Sequence, residues 1–190
     1  MSDNEKAQLR RDLKEWCAGH VPAMNQQHAA QIAEQIVTTL KSHVAGGVIS
    51  CYLSLTDEVD SQPLMQALCR AGYRIVLPVV ITKERPLVFR LYHDGDKLIK
   101  DAAGLPVPHA DSIELVPDAV IVPILGFNDK NFRLGRGGGY YDRTLSTLQP
   151  ILTIGLGYEA QKVDFTPDGH DIPLDYIVTE SQIRAANSLF

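Results

Sequence analysis

The sequence predicts a three-layer α/β/α protein, in which helices cover both faces of a mostly parallel, Rossmann-like sheet. Strand-length apolar runs alternate with helical segments along the chain, which is the pattern of such folds. Residues 48–55, 63–71 and 73–80 have the patterns of a strand, a helix and a strand, an order that gives a right-handed βαβ unit. Because 45% of the 190 residues are hydrophobic, we expect a single domain with its own core over residues 1–190.

Two helices are predicted before the first strand. The first spans residues 4–18, where Leu9 and Leu13 recur at helical spacing. The second spans residues 22–43, because Pro22 suits a first helical turn and apolar residues then recur with the helical period. Gly19 and Pro22, at the junction of the two segments, are expected to separate them.

The later elements continue the alternation of strands and helices. In chain order we predict an edge strand or hairpin arm at 86–92, a loop at 102–108, a buried strand at 119–123, a helix at 140–148, a buried strand at 151–157, a loop at 164–175 and a short strand at 176–179. Ligands of such sheets bind at the carboxyl ends of the strands. The acidic segment 56–60 and the glycine-rich segment 134–143 are both expected there.

The glycine-rich segment lies between a predicted strand and a predicted helix. Four of the chain's 14 glycines fall within residues 135–139, a stretch that we call the glycine loop. Glycine allows left-handed backbone and close approach to a ligand, and successive N–H groups can form an anion-binding nest. The N-terminus of the following helix also attracts anions. A flexible surface turn is the alternative, but Arg133, Arg136 and Arg143 around the loop favour phosphate binding.

Composition restricts the class of partner. The net charge of −5 argues against nucleic acid or an anionic membrane surface. Cys17, Cys51 and Cys69 are odd in number and form no CxxC pair, so neither a disulfide framework nor a zinc knuckle is predicted. The polar N-terminus has no secretory pattern, and the longest apolar run is too short to cross a bilayer. We therefore expect a cytoplasmic protein with a small anionic ligand.

Carboxylates are the candidate metal ligands. Glu58 and its acidic neighbours in residues 56–60 can bind a ligand or stabilise the N-terminus of the next helix, and the sequence leaves both readings open. Asp142, Asp171 and Asp175 lie at loop or helix starts. Hard oxygen ligands beside a phosphate site suit Mg²⁺.

Two further patterns have less specific interpretations. Residues 155–160 match G-x-G-x-x-A after a strand, but no second βαβ unit follows to hold a dinucleotide, and the chain contains no Walker A motif. Lys6 and Arg10 share a face of the first helix. Taken alone, that pair is typical of a solvated basic stripe.

Considered together, several stretches resemble the 5-formyltetrahydrofolate cyclo-ligase (5,10-methenyltetrahydrofolate synthetase) family. They are residues 123–127 and 133–143, Lys6-x-x-x-Arg10, residues 53–60 and residues 170–175. The resemblance extends along nearly the whole chain. It implies the closure of 5-formyltetrahydrofolate to 5,10-methenyltetrahydrofolate, dependent on ATP and Mg²⁺, with release of ADP and phosphate. In the family's mechanism the formyl oxygen attacks the γ-phosphate, N10 of the folate adds to the activated carbon, and phosphate leaves.

The resemblance also implies roles for individual residues. Arg136 and Tyr140 are expected to be catalytic, and Asp142 and Asp175 to hold Mg²⁺ directly or through water. Folate binding is expected from Leu53, Glu58, Phe127 and Tyr140. ATP binding is expected from Lys6, Arg10, Arg133, Leu134, Gly135, Arg136, Gly137, Gly138, Gly139, Tyr140 and Tyr141, with Tyr141 packing mainly in the core.

Two asparagines depart from the family's pattern. Asn128 stands where the family often has Asp, which puts an accessory role for a carboxylate there in doubt. Asn131 stands where Gly often makes the turn, and the turn is expected to survive because Asn tolerates the left-handed conformation.

The alternatives to a monomeric cyclo-ligase are a non-catalytic folate- or nucleotide-binding paralogue and a sugar-phosphate-binding enzyme. Asp142 and the basic pair argue against the paralogue, and a sugar-phosphate enzyme, which needs no ATP, would leave Lys6 and Arg10 without a role.

Overall fold

A computed structural model describes residues 3–186 and confirms the α/β prediction. The helices are α1 (Asp3–Lys41), α2 (Gln62–Arg70) and α3 (Tyr140–Leu148). The strands are β1 (Val48–Ser50), β2 (Arg74–Val79), β3 (Val88–Tyr92), β4 (Leu98–Lys100), β5 (Pro106–Pro108), β6 (Ala119–Pro123), β7 (Gly126–Phe127), β8 (Arg133–Leu134), β9 (Leu152–Leu156), β10 (Tyr176–Val178) and β11 (Ile183–Ala185). Seven strands form one sheet in the order β11-β10-β9-β6-β1-β2-β3, while β4–β5 and β7–β8 are separate hairpins.

Helices cover both faces of the main sheet. Along β6, Ala119 and Ile121 belong to the core that α1 and α2 close. The alternate residues Val120 and Val122 pack with Leu145 of α3 on the opposite face. Because both faces of this central strand are buried, its sequence is continuously apolar. The three-layer architecture therefore follows the predicted pattern.

The parallel strands leave a crevice between β1 and β6. Five central strands are parallel, and the edge strands β3 and β11 are antiparallel to their neighbours. The chain passes from β1 through α2 to β2 on one side, and from β6 through α3 to β9 on the other. Such a reversal of direction opens a ligand-binding crevice at the carboxyl edge. The acidic segment and the glycine loop both leave the sheet at this point.

The N-terminal region differs from the prediction, because α1 is one continuous helix of 39 residues with Pro22 inside it. Gly19 and Pro22 are exposed, whereas Cys17 and Val21, on the other side of the same helical turns, are fully buried. Packing of the buried face therefore outweighs the low helix propensity of the exposed one. The predicted break between two helices was wrong.

Replacing Pro22 with alanine is expected to stabilise the protein by about 1–2 kcal/mol. Alanine restores the missing backbone N–H and has the higher helix propensity, while proline's restriction of the unfolded chain offsets part of the gain. Chemical denaturation would measure the change in the free energy of unfolding. Pro86→Ala, at an exposed position in the β2–β3 loop, is the control and should not stabilise. A P22A variant less stable than the parent would contradict this reading of α1.

Short strands were also missed. The predicted loop 102–108 contains β5, which pairs antiparallel with β4, and β4, β7, β8 and β11 were not predicted. The first strand ends at Ser50, so residues 51–55 belong to the loop at the crevice. Strands of two or three residues show too little alternation to be recognised from sequence. Within residues 3–186, no helix is long and apolar enough to cross a membrane.

Candidate functional site

A cavity of about 430 Å³ lies at the crevice between β1 and β6. The loops that follow these two strands contribute one part of its wall, and Arg10 of α1 contributes another. The opposite wall comes from β2, from Leu87 just before β3, and from the β4–β5 hairpin. The cavity therefore has a polar, glycine-rich side and an apolar side.

The glycine loop is shaped as an anion cradle. Gly137 and Gly139 have φ values of 102° and 65°, a region that favours glycine. Gly139 is the N-cap residue of α3, so the free N–H groups of the first helical turn continue the loop. The backbone N–H groups of residues 136–139 donate to no other described residue. A row of unpaired donors at a helix N-terminus suits phosphate oxygens.

Arg136 crosses the cavity to the acidic segment. Its Nε donates to Glu58 Oε1 at 2.9 Å, and its Nη2 donates to Asp57 Oδ1 at 2.6 Å. Burial lowers the pKa of the Arg136 guanidinium, but the hydrogen bonds to the two carboxylates outweigh it and raise that pKa. Glu58 is held in turn by the N–H of Leu55, which donates to Oε2 at 2.9 Å. The acidic segment is thus part of the site rather than only a helix cap.

A second ion pair joins Arg133 to Asp142. Arg133 Nη2 lies 2.6 Å from Asp142 Oδ2, and the two side chains are only 5% and 19% exposed. The Arg133 guanidinium also lies 5.4 Å from the centre of the Tyr141 ring. Burial, reinforced by the Glu58 charge, raises the pKa of Tyr141, so its hydroxyl is neutral. Asp142, in the first turn of α3, thus already has a cationic side chain beside it.

The N-terminal basic pair reaches the site through α1. Arg10 lines the cavity, and its Nε donates to the carbonyl of Gly135 at 3.0 Å. Lys6 is buried behind the wall, with Nζ 2.6 Å from Asp168 Oδ2 and 3.5 Å from Asp171 Oδ2. Lys6 is therefore not on a solvated stripe, and two carboxylates occupy the position where an anionic ligand would meet its ammonium group.

Most of the residues expected at the site lie together. Those that line the cavity are Arg10, Leu53, Glu58, Arg133, Leu134, Gly135, Arg136, Gly137, Gly138, Gly139, Tyr140, Tyr141 and Asp142. Tyr140 also lies under the guanidinium of Arg143, which is 5.2 Å from the ring centre. These contacts bring the predicted phosphate-binding and folate-binding residues into one cavity.

Two expected site residues lie elsewhere. Phe127 is fully buried beside β6 and does not line the cavity, because its strand β7 turns its side chain into the core that α3 covers. Asp175 immediately precedes β10, whose parallel pairing with β9 places it at the amino ends of these strands. There its Oδ2 accepts hydrogen bonds from the N–H and the hydroxyl of Thr153, each at 2.8 Å. The geometry thus supports neither Phe127 as a wall nor Asp175 as a metal ligand.

The asparagines that depart from the family's pattern have structural roles. Asn131 takes the left-handed conformation, with φ of 58°, which confirms that the turn survives. Asn128 Oδ1 accepts the N–H groups of Lys130 and Phe132 at 3.0 and 3.1 Å. Neither asparagine lines the cavity.

Two parts of the site were not predicted from the sequence: the apolar wall of the cavity and the carboxylates that contact Lys6. The wall consists of Leu77, Pro78, Val80, Leu87, Leu105 and Val107, which come from β2, β5 and the loop residues next to β2, β3 and β5. Nothing in the local sequence distinguishes these side chains from ordinary core residues. Asp168 and Asp171 sit in a predicted loop, and only the pairing of that loop with α1 shows their relation to Lys6.

Comparison with known proteins decides the family. The model of the 5-formyltetrahydrofolate cyclo-ligase family matches residues 2–180. The chain belongs to that family. It is 34% identical to the 5-formyltetrahydrofolate cyclo-ligase of Escherichia coli K12 over 83% of this chain and 91% of that protein. The cyclo-ligase of Haemophilus influenzae is 30% identical over 92% of this chain and 97% of its own length.

Solved structures agree with this family membership. A 5,10-methenyltetrahydrofolate synthetase from Mycoplasma pneumoniae superposes with a TM-score of 0.75 at 26% identity, covering 92% of this chain and 98% of that one. The synthetase from Aquifex aeolicus gives a TM-score of 0.73, also at 26% identity, over 96% of this chain and 93% of that one. The family and its relatives' names indicate 5-formyltetrahydrofolate cyclo-ligase activity for this chain.

Proposed function

We propose that the chain closes 5-formyltetrahydrofolate to 5,10-methenyltetrahydrofolate with ATP, releasing ADP and phosphate. One observation carries the ATP dependence: a glycine loop with unpaired N–H groups, at a helix N-terminus, faces an apolar wall across a single cavity. All of these walls come from one chain, so we expect a monomer to be sufficient. The free cysteines Cys17, Cys51 and Cys69 are consistent with the reducing cytoplasm.

The polar side of the cavity is suited to phosphoryl transfer. This reaction depends mostly on positioning and on neutralising charge. The N–H groups of residues 136–139 and the first turn of α3 would bind the phosphates of ATP. Arg10 would add a positive charge beside the loop, because its guanidinium already contacts the carbonyl of Gly135. Arg136 would stabilise the charge that develops on the transferred phosphoryl group.

The described residues fit Mg²⁺ only as an ion shared with phosphate. No group of three His, Cys, Asp or Glu side chains that could hold a metal occurs among residues 3–186. Magnesium usually keeps waters and takes one or two carboxylates together with substrate phosphates. Asp142 meets that requirement, because it lies in the helical turn that follows the glycine loop. Bound there, Mg²⁺ would neutralise phosphate charge.

The apolar side of the cavity would hold the folate. Leu53, Leu105 and Val107 offer apolar contacts to the reduced pterin and aminobenzoyl rings. Glu58 and Tyr140 line the same cavity, and Glu58 is bonded to Arg136 of the glycine loop, so both would contact the formyl-bearing part of the folate. The formyl oxygen would attack the γ-phosphate, N10 would add to the activated carbon, and phosphate would leave with the former formyl oxygen.

A spectrophotometric assay for methenyltetrahydrofolate tests this proposal. Purified protein is mixed with 5-formyltetrahydrofolate, with ATP and Mg²⁺ together or with either one omitted. Product should form only in the complete mixture, and ADP should accumulate in equal amount. Folate binding without product would instead indicate a binding paralogue, and equal product without ATP would contradict the proposed reaction.

Replacing Asp168 with asparagine is expected to lower the KM for ATP by about threefold. Asp168 Oδ2 lies 2.6 Å from Lys6 Nζ, and Lys6 is only 4% exposed, so the carboxylate competes with phosphate for this cation. An exposed carboxylate contributes little binding energy, which limits the effect. Steady-state kinetics with saturating folate would measure it. Asp164→Asn, an exposed residue of the same loop outside the cavity, is the control. A raised KM in D168N would show that Asp168 supports ATP binding.

A further inference from the structure

The β4–β5 hairpin forms part of the apolar wall but has little support of its own. Each strand contains three residues, and the hairpin is not part of the main sheet. An isolated two-stranded hairpin is marginally stable in water. Its position against the cavity must therefore depend on contacts with the rest of the molecule.

One carboxylate joins this hairpin to the main sheet. Asp101 Oδ2 accepts a hydrogen bond at 3.0 Å from the N–H of Val80, which follows β2 at the carboxyl edge. Asp101 Oδ1 accepts the N–H groups of Ala103 and Leu105, at 2.8 and 3.0 Å, within the hairpin turn. The backbone of Ala102 adds one more bond across the same joint, donating to Val80 O at 3.1 Å. Both oxygens of Asp101 are thus occupied in fixing the turn to β2.

The residues that Asp101 fixes face the cavity. Ala103, Leu105 and Val107 line it from the hairpin, and Val80 lines it from the sheet. Leu105 is 44% exposed, as an apolar side chain would be if a ligand were to cover it. Leu55, at 39% exposure, lines the same cavity from the acidic segment. The hairpin therefore presents an exposed apolar surface at the cavity, and the Asp101 carboxylate is the side chain that bonds its turn to β2.

We propose that Asp101 is a positioning residue for folate binding, because its carboxylate sets the place of the Leu105 wall against which the folate rings pack. The proposal rests on the proposed function in that the apolar side takes the folate and the glycine loop takes ATP. Asp101 also borders the cavity, but both of its carboxylate oxygens accept backbone N–H groups, so it acts through Leu105 rather than on the reacting atoms. Its loss should therefore weaken folate binding without affecting the phosphate-binding side.

Calorimetric titration of 5-formyltetrahydrofolate in the absence of ATP tests this role. Asp101→Ala should raise the folate Kd by about tenfold, because three backbone donors lose their acceptor and the wall loosens. Asp101→Asn can keep the two turn bonds and should fall between the parent and D101A. The matched control is Asp96→Ala, since Asp96 Oδ2 caps the N–H of His93 at 2.8 Å in the neighbouring turn, away from the cavity.

A second variant tests the wall without changing the joint. Leu105→Ala should also weaken folate binding, and the double variant D101A/L105A should be no weaker than the worse single variant, because both act on the same wall. The ATP Kd should change less than about twofold in each variant. An unchanged folate Kd in D101A, or a loss equal to that of D96A, would overturn the inference alone. A parent protein that bound no folate would overturn both this inference and the proposed function.

Discussion

Arg136→Ala is expected to reduce kcat/KM by at least about 100-fold, with the fold retained. Arg136 would neutralise charge at the transferred phosphoryl group, and loss of one such donor typically costs two to three orders of magnitude. The change also leaves Asp57 and Glu58 without the guanidinium that bridges them at 2.6 and 2.9 Å. We expect the two unpaired carboxylates to cost about 1–2 kcal/mol of stability, which circular dichroism and denaturation would measure separately from activity.

The charge and the geometry of Arg136 can be separated. Arg136→Lys keeps the charge but cannot donate to Asp57 and Glu58 in the same planar fork, so it should recover only a small part of the activity. Arg74→Ala is the control, because Arg74 is an exposed arginine at the amino end of β2, on the opposite edge of the sheet. Near-normal activity in R136A would exclude Arg136 from the reaction.

Asp142→Ala is expected to reduce turnover by at least about 100-fold and to destabilise the protein. The side chain of Arg133 is only 5% exposed and would lose its carboxylate partner at 2.6 Å, which costs about 3 kcal/mol for a buried pair. Asp142→Asn keeps a neutral hydrogen-bond acceptor for Arg133 and should fold better than D142A. If Asp142 holds Mg²⁺, D142N should still need at least about tenfold more Mg²⁺ for half-maximal activity.

Asp175 provides the comparison that separates metal binding from structure. Its carboxylate accepts two hydrogen bonds of 2.8 Å from the N–H and the hydroxyl of Thr153, and its backbone N–H donates to that hydroxyl at 2.9 Å, at the amino ends of β9 and β10. Asp175→Ala should therefore lower the free energy of unfolding by about 1–2 kcal/mol while leaving the Mg²⁺ dependence unchanged. If D175A, but not D142N, shifted the Mg²⁺ requirement, Asp175 would be a metal ligand, as the family resemblance implies. That result would contradict the structural role given to Asp175 here.

The sheet and its layers were predictable because the signals are repetitive. Buried parallel strands such as β6 are apolar on both faces, so the strand can still be recognised when a single residue departs from the pattern. The continuity of α1 was not predictable. Gly19 and Pro22 are helix-breaking residues by sequence, but in the structure they lie on the solvated side of a continuous helix. Burial of the opposite side decides the structure there, and burial is a property of the whole fold.

The site was predictable where residues adjacent in sequence contribute to the same binding function. The glycine loop and the start of α3 are contiguous, so their shape followed from the sequence. The pairings of Arg136 with Glu58 and of Lys6 with Asp168 join residues far apart in the chain, and only the assembled sheet brings them together. Phe127 and Asp175 show the converse, because residues that lie next to site segments in sequence point away from the cavity in the fold.

The most direct test of the proposed reaction follows the formyl oxygen. 5-Formyltetrahydrofolate labelled with ¹⁸O in the formyl group is incubated with the protein, ATP and Mg²⁺, and the released inorganic phosphate is analysed by mass spectrometry. If the formyl oxygen attacks the γ-phosphate in this cavity, one ¹⁸O should appear in each phosphate released. Methenyltetrahydrofolate formed alongside unlabelled phosphate would show that ATP is hydrolysed by water, and it would contradict phosphorylation of the formyl oxygen.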